Sequence, residues 1–277
     1  MNVNQIVEYA FNKHNLSTSF ESYKKISLLV CDYALSDDAK EIITKQLFPT
    51  IVPFYPVTYE YDRSKFTQSG TNYEATFLRK YISYKIDSCE NVSPVDGMHI
   101  ETNKLANNRM FINNKPIDVC RIFNAAVELI NYKYDILYLT YKDYHYVHFP
   151  FDCKVLSITN VPGKYSWMEP SIEFGCKFLG SNYRKIYKLK KNNGDVCYLI
   201  MIASIIVGGI NTLFYDETLP TSEYHTTELN NVFCKKGDFL ANFYIGSMVC
   251  VLYPSTSKVI TPFSLTKRVQ MGRRINY

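Results

Sequence analysis

The stretch NFYIGSMVCVLYP, residues 242–254, makes two demands on the fold. Its β-branched, aromatic and apolar residues read as a buried strand, yet Gly246 and Ser247 interrupt the run. Glycine inside a strand ordinarily marks a bulge or a tight bend. Here it stands directly before a hydroxyl that apolar neighbours would enclose. A serine so embedded is poorly placed to meet an external ester and well placed to attack the carbonyl just before it. A common serine hydrolase would instead offer Gly-x-Ser-x-Gly at a strand-to-helix turn, whereas Met-Val-Cys-Val follows Ser247.

Working outward, the same short β-rich texture extends from about residue 76 to the C-terminus. NKPIDVCRIF, YDILYLTY, CKVLSITNV, RKIYKL and VCYLIMIASIIV are runs of this kind, separated by Gly, Pro, Asn and Asp. Many short strands at irregular spacing predict a compact β sandwich or barrel. Residues 216–231, DETLPTSEYHTTELNN, read as a long surface loop. The first 75 residues differ. Val3, Ile6, Val7 and Ala10 form one helical stripe, a second helix is predicted over 20–35, and Ser36-Asp37-Asp38 reads as an N-cap for a third. The fold class expected is α+β, with a helical region over 1–75 and a β-rich domain over 76–277.

Bulk composition narrows the function classes. With 277 residues, 47% hydrophobic and 21% charged, the chain can bury a substantial core. A net charge of +5 without a long basic run argues against nucleic acid and is compatible with an anionic lipid surface. The eight cysteines include no Cys-x-x-Cys pair, which fits reduced thiols in the cytoplasm and no metal centre. The N-terminus lacks the pattern of a secretion signal. Residues 197–214 carry no charge over 18 positions, but their β-branched content and Gly208-Gly209 favour a doubly buried strand running into a turn over a spanning helix.

Three polar constellations remain. His145 and His148 lie together in DYHYVHFP, Asp96 sits in the turn SPVDG, and Ser247 follows Gly246. Each alone has an ordinary structural reading: a turn aspartate, two satisfied histidines, a bulge. A metal at the histidine pair would need Asp143, Asp152 or His225 as a third ligand, and no zinc-like spacing is present. Taken together, the three supply an acid, a base and a hydroxyl nucleophile, a set recognised by roles and geometry rather than chain order.

Five segments in order resemble the phosphatidylserine decarboxylase family of pyruvoyl-dependent enzymes over roughly residues 75–275. They are SPVDG at 93–97, DYHYVHFPFDCKVLSITNVPGKYSWMEP at 143–170, IASIIVGGI at 202–210, KKGDFLANFYIGSM at 235–248 and VQMG at 269–272. The resemblance implies a precursor that cuts itself between Gly246 and Ser247. Residues 1–246 would remain, with a short chain of 31 residues, 247–277, that stays attached as a partner and begins with a pyruvoyl cofactor in place of Ser247. It further implies that His148 is the base, that Asp96 orients it, and that His145 serves decarboxylation as proton donor or substrate contact. The two histidine roles could be exchanged. The pyruvoyl ketone would form a Schiff base with the amine of phosphatidylserine, releasing carbon dioxide and leaving phosphatidylethanolamine. The implied fold is a β-rich sandwich, a barrel-sandwich hybrid related to biotinyl and lipoyl carriers.

The resemblance has departures. Met248 stands where the family favours threonine, Cys153 stands near its usual glycine, and Asn182-Tyr183-Arg184 replaces Asn-Glu-Arg. Arg184 and Lys164 are candidate anion contacts, with ordinary surface charges as the plainer reading. Alternatives left open are a family relative decarboxylating a free amino acid, as some members do with aromatic ones, and an uncleaved binding protein. A homodimer and peripheral membrane attachment also remain open.

Overall fold

The architecture is that of a computed structural model describing residues 65–67, 79–112, 114–140, 143–163, 179–203, 210–214, 223–243, 247–254 and 267–275. The helices expected over the first 75 residues, the division at 75/76 and Lys164 lie outside these residues. In chain order the elements are β1 (Gly97–Lys104), β2 (Arg109–Ile112), β3 (Lys115–Asp118), α1 (Val119–Phe123), β4 (Tyr132–Leu139), β5 (Tyr146–His148) and β6 (Cys153–Val161). Then come β7 (Arg184–Lys191), β8 (Val196–Ile202), β9 (Ile210–Thr212), β10 (His225–Cys234), β11 (Phe239–Phe243), β12 (Ser247–Pro254) and β13 (Lys267–Val269).

Eight strands form one sheet in the order β10-β6-β7-β8-β12-β4-β1-β13, and every pairing in it is antiparallel. The strand containing the opening stretch is therefore central, bonded to β4 on one side and β8 on the other. Its alternation explains the nearly continuous apolar run. Val249, Val251 and Tyr253 join one core with Leu137, Leu199 and Met201. Met248, Cys250 and Leu252 join a second core with Ile136, Ile200 and Ile202. A strand covered on both faces has no polar side, so period-two alternation disappears from its composition.

Each face of the sheet is covered by different material. The first core includes Val147, Ile210, Leu240, Ala241 and Phe243 from a three-stranded sheet ordered β5-β11-β9. The second includes Met110, Ile112, Ile117, Val119 and Ile122 from the β2–β3 hairpin and α1. At about 1.5–3 kcal/mol for each fully buried large aliphatic side chain, these two layers dominate the favourable side of folding.

Three expectations are corrected. NKPIDVCRIF is not one strand: Asp118 ends β3 and caps α1 by accepting from the Cys120 amide at 2.8 Å, and Asn124 ends the helix with φ 51°. Capping chemistry overrides the β propensity of Val119 and Ile122. Within the loop expected at 216–231, residues 225–231 belong to β10, a ten-residue edge strand paired with β6. Its polar composition goes with its place at the edge, where one rim is unpaired and polar or charged side chains discourage further pairing. Asn211 and Thr212, expected in a turn, are backbone members of β9. The run from 197 does form a buried strand, β8, and no helix among the described residues is long and apolar enough to cross a membrane.

Candidate active site

Two of the motif positions, Asp96 and Ser247, lie at the same end of the large sheet. Ser247, the first residue of β12, pairs through its backbone with Leu139, the last of β4. On the far side of β4, Met98 pairs with Tyr138, and Gly97 in turn pairs with Val269 of β13. Asp96 immediately precedes that Gly97. The approach is close: a Cβ added to Gly97 would lie 2.5 Å from the Tyr138 carbonyl oxygen, so the residue after Asp96 has no room for a side chain. On the other flank Met248 pairs with Ile202, which brings the end of β8 alongside.

Asp96 sits in a turn held by Ser93, whose hydroxyl bonds the Val95 carbonyl at 2.6 Å. Its carboxylate accepts from the Met271 amide at 2.7 Å and from the Tyr81 hydroxyl at 2.5 Å. Burial pushes its pKa above the usual carboxylate range, with these two donors opposing. Some of the residue reaches the surface, but the carboxylate itself is crowded by surrounding atoms.

Beyond Leu139 the chain turns sharply. The Asp143 carboxylate accepts from both the amide and the hydroxyl of Thr140, at 2.7 and 2.8 Å, and pairs with Arg268 of β13. That turn delivers His145, which is completely buried and donates from Nδ1 to the Asp143 carbonyl at 2.8 Å. Burial pulls its pKa down to about 3, so the ring is neutral at ordinary pH. His148 closes β5 opposite Phe239, and the Phe243 amide bonds the His145 carbonyl at 3.0 Å. Both histidines thus pack against β11, the strand that ends four residues before Ser247.

The hydrogen bonds of His148 identify its tautomer. Nδ1 faces the Gly237 carbonyl at 2.7 Å, and a carbonyl only accepts, so Nδ1 carries the proton. Nε2 then presents a lone pair, to which the Tyr144 hydroxyl donates at 3.0 Å. Burial lowers the His148 pKa, opposed by the Gly237 carbonyl and by Asp238. A neutral imidazole with an unprotonated Nε2 is the form a general base requires.

No hydrogen bond among the described residues joins Asp96 directly to His148. The two are linked through aromatic rings: Tyr81, on Asp96, packs 4.5 Å from Tyr144, on His148. Tyr81, Tyr144, Arg268 and Met271 were not singled out from sequence, although Tyr144 and Met271 lie inside the quoted DYHYVHFP and VQMG segments. Nothing in the sequence marks Tyr81. Gly246 is outside the described residues, and Ser247 is described by its backbone pairing alone.

The remaining candidates separate. Asp152 accepts from the Lys236 amide at 2.7 Å, while His225 lies on the edge strand beside Thr227. Among the described residues no group of three His, Cys, Asp or Glu could hold a metal ion. Arg184 is not the surface charge considered from sequence. It is buried, with its guanidinium donating to the carbonyls of Arg121, Ile122 and Asn182. It closes the C-terminal end of α1 onto the sheet, and burial pulls its pKa down to about 10.

The family model for phosphatidylserine decarboxylase matches residues 74–277. A relative named phosphatidylserine decarboxylase proenzyme from Coxiella burnetii is 26% identical over 174 residues, 60% of this chain and 61% of that protein. One of the same name from Methylobacillus flagellatus is 30% identical over 142 residues, 48% of this chain and 49% of the relative. A third, from Legionella pneumophila, is 25% identical over 194 residues, covering 66% and 68%. The chain thus spans about three-fifths of the length of the Coxiella protein.

Proposed function

The chain belongs to the phosphatidylserine decarboxylase family, and from that premise we propose that it is a self-processing, pyruvoyl-dependent decarboxylase acting on phosphatidylserine. The observation that supports the reading is that Asp96 and the head of β12 stand at the same end of the sheet, with His148 tied to the Asp96 turn through Pro94 and through Tyr144 and Tyr81. In the self-cleavage we propose, Ser247 Oγ attacks the Gly246 carbonyl as His148 Nε2 takes its proton. The C–N bond then breaks, the Ser247 nitrogen regains a proton, and an ester joins the two segments. Loss of the Ser247 α-proton expels residues 1–246 as a carboxylate, leaving dehydroalanine. Water converts that residue to the pyruvoyl group and ammonia.

The residues present fit such a group. Position 247 heads a strand bonded on both sides, so a short chain starting there would stay anchored by β4 and β8 without its upstream link. When formed, the pyruvoyl ketone supplies an electron sink for loss of carbon dioxide from an amine-bearing substrate. Around it this chain contributes two neutral imidazoles. Because His145 is uncharged with Nδ1 committed to a carbonyl, it is better suited to contact the substrate through Nε2 than to donate a proton.

The doubly covered sheet supports a barrel-sandwich relationship to biotinyl and lipoyl carriers. The net charge of +5 supports peripheral contact with anionic lipid from the cytoplasmic side. Denaturing mass spectrometry of purified protein tests the proposal. Two fragments divided at 246/247 are expected, with Ser247→Ala entirely full-length and His148→Ala uncleaved or slow. Unbroken wild-type chain in an active preparation overturns it. Vesicles of phosphatidylserine, compared with free amino acids, separate the lipid substrate from the alternative by carbon dioxide release.

A further inference from the structure

The lone pair that self-cleavage needs is already covered. Tyr144 donates to His148 Nε2, and the ring of Tyr144 lies nearly parallel to the imidazole, centroids 5.7 Å apart at 25°. Tyr144 is itself buried and held on both sides by aromatic rings. Tyr81 lies 4.5 Å from it and Tyr146 stacks at 5.2 Å, with Phe66 stacked on Tyr81 in turn. The hydroxyl of Tyr81 is engaged by Asp96, which fixes that ring as well. A phenol packed this firmly keeps its oxygen beside Nε2, and only its hydrogen is free to turn, about the C–O bond.

We infer that Tyr144 is a positioning residue for self-cleavage: its hydroxyl holds the His148 ring with Nε2 aimed and covered until the serine hydroxyl displaces it. The inference rests on the reading of His148 as the base. Donation to a lone pair favours the neutral imidazole, because that lone pair vanishes on protonation. Tyr144→Phe keeps the ring and removes only the donor, so the nitrogen becomes easier to protonate. The other groups facing His148 keep their places. Tyr84 approaches edge-on at 5.1 Å from the segment before β1, and Asp238 lies in the turn before β11. Phe239 adds an apolar edge, while Tyr81 and Asp96 stand behind Tyr144.

The test follows the self-cleavage rate of freshly made chain from about pH 5 to about pH 9, across the histidine range. The wild-type rate should rise through a histidine-like midpoint. In Tyr144→Phe that midpoint should move upward by about half to one pH unit, the shift expected for one net hydrogen bond. A superimposable profile overturns the inference. His148→Ala, measured beside it, distinguishes the two failures: normal cleavage there removes the base itself. If Tyr144→Phe does not fold, nitrogen NMR of the imidazoles in the full-length Ser247→Ala protein decides. His148 protonated on Nδ1 supports the inference, and protonation on Nε2 overturns it.

Discussion

Substituting Gly97 with alanine tests whether the approach of β1 to β4 sets the geometry of the site. The new Cβ would lie 2.5 Å from the Tyr138 carbonyl oxygen and 3.2 Å from its carbon, against an ordinary contact of 3.4 Å or more. Backbone must therefore separate by about 0.9 Å at this point. Neither side can give cheaply. Tyr138 is also paired with Met248 of β12, so moving β4 disturbs the strand that begins at Ser247. Moving β1 instead displaces Asp96 from the Met271 amide and the Tyr81 hydroxyl. Overpacking of this size costs about 1–3 kcal/mol of stability. A shift near 1 Å in a reacting constellation lowers rate by about 10²-fold. Urea unfolding of Gly97→Ala in the Ser247→Ala background measures the first effect, and a time course of cleavage in freshly synthesised Gly97→Ala chain the second. Gly194→Ala is the control: its φ of +93° brings backbone strain, but nothing lies within 4 Å of the added carbon and cleavage should be unaffected. A folded Gly97→Ala protein that cleaves at the wild-type rate would refute the reasoning.

Arg184→Met should lower stability by about 3 kcal/mol, since three inward carbonyls lose a charged donor, and urea unfolding in the Ser247→Ala background checks it. Asp96→Asn in that background should flatten the pH dependence of stability. Burial raises the folded-state pKa of Asp96, so its contribution is intact below the usual carboxylate value of 3.8 and is lost as pH climbs through the folded value. His145→Gln should act on the opposite limb. Its folded-state pKa is lowered to about 3, so the wild-type histidine loses stability as pH falls from 6.5 toward that value, and thermal midpoints across the range should show the loss abolished. Ending the chain after Gln270 should stop cleavage while leaving β12 and β13 in place. The truncation removes the Met271 amide from Asp96 and the Gly272 and Arg273 bonds to Ser93 and Asp87, and denaturing gels give the readout.

Much of the central sheet was legible because burial on both faces leaves an unambiguous composition. CKVLSITNV coincides with β6, and the apolar part of 242–254 with the ends of β11 and the length of β12. Elements whose character depends on local capping or on position in the sheet were not legible. A single aspartate turns half of NKPIDVCRIF into a helix, and β10 hides among polar residues because an edge strand needs few apolar ones. Arg184 was misjudged for a related reason: charge predicts exposure unless nearby carbonyls happen to converge, and convergence is a property of the fold. At the site, His145, His148 and Asp96 could be picked out as residue types. The phenols on Asp96 and His148 could not, since a tyrosine in an aromatic-rich chain of 24 tyrosines carries no mark of its neighbour.

The bond from Met271 to Asp96 has a consequence for timing. The scissile position is translated before the residues that steady the acid, and β13, Gly272 and Arg273 reach back to residues 87–99 only once the ribosome has made them. Under the proposed chemistry, a nascent or prematurely stopped polypeptide would hold the nucleophile without its completed support. Maturation would then wait until residues 267–273 are made, and that segment would serve as a check that the strands before it have been delivered.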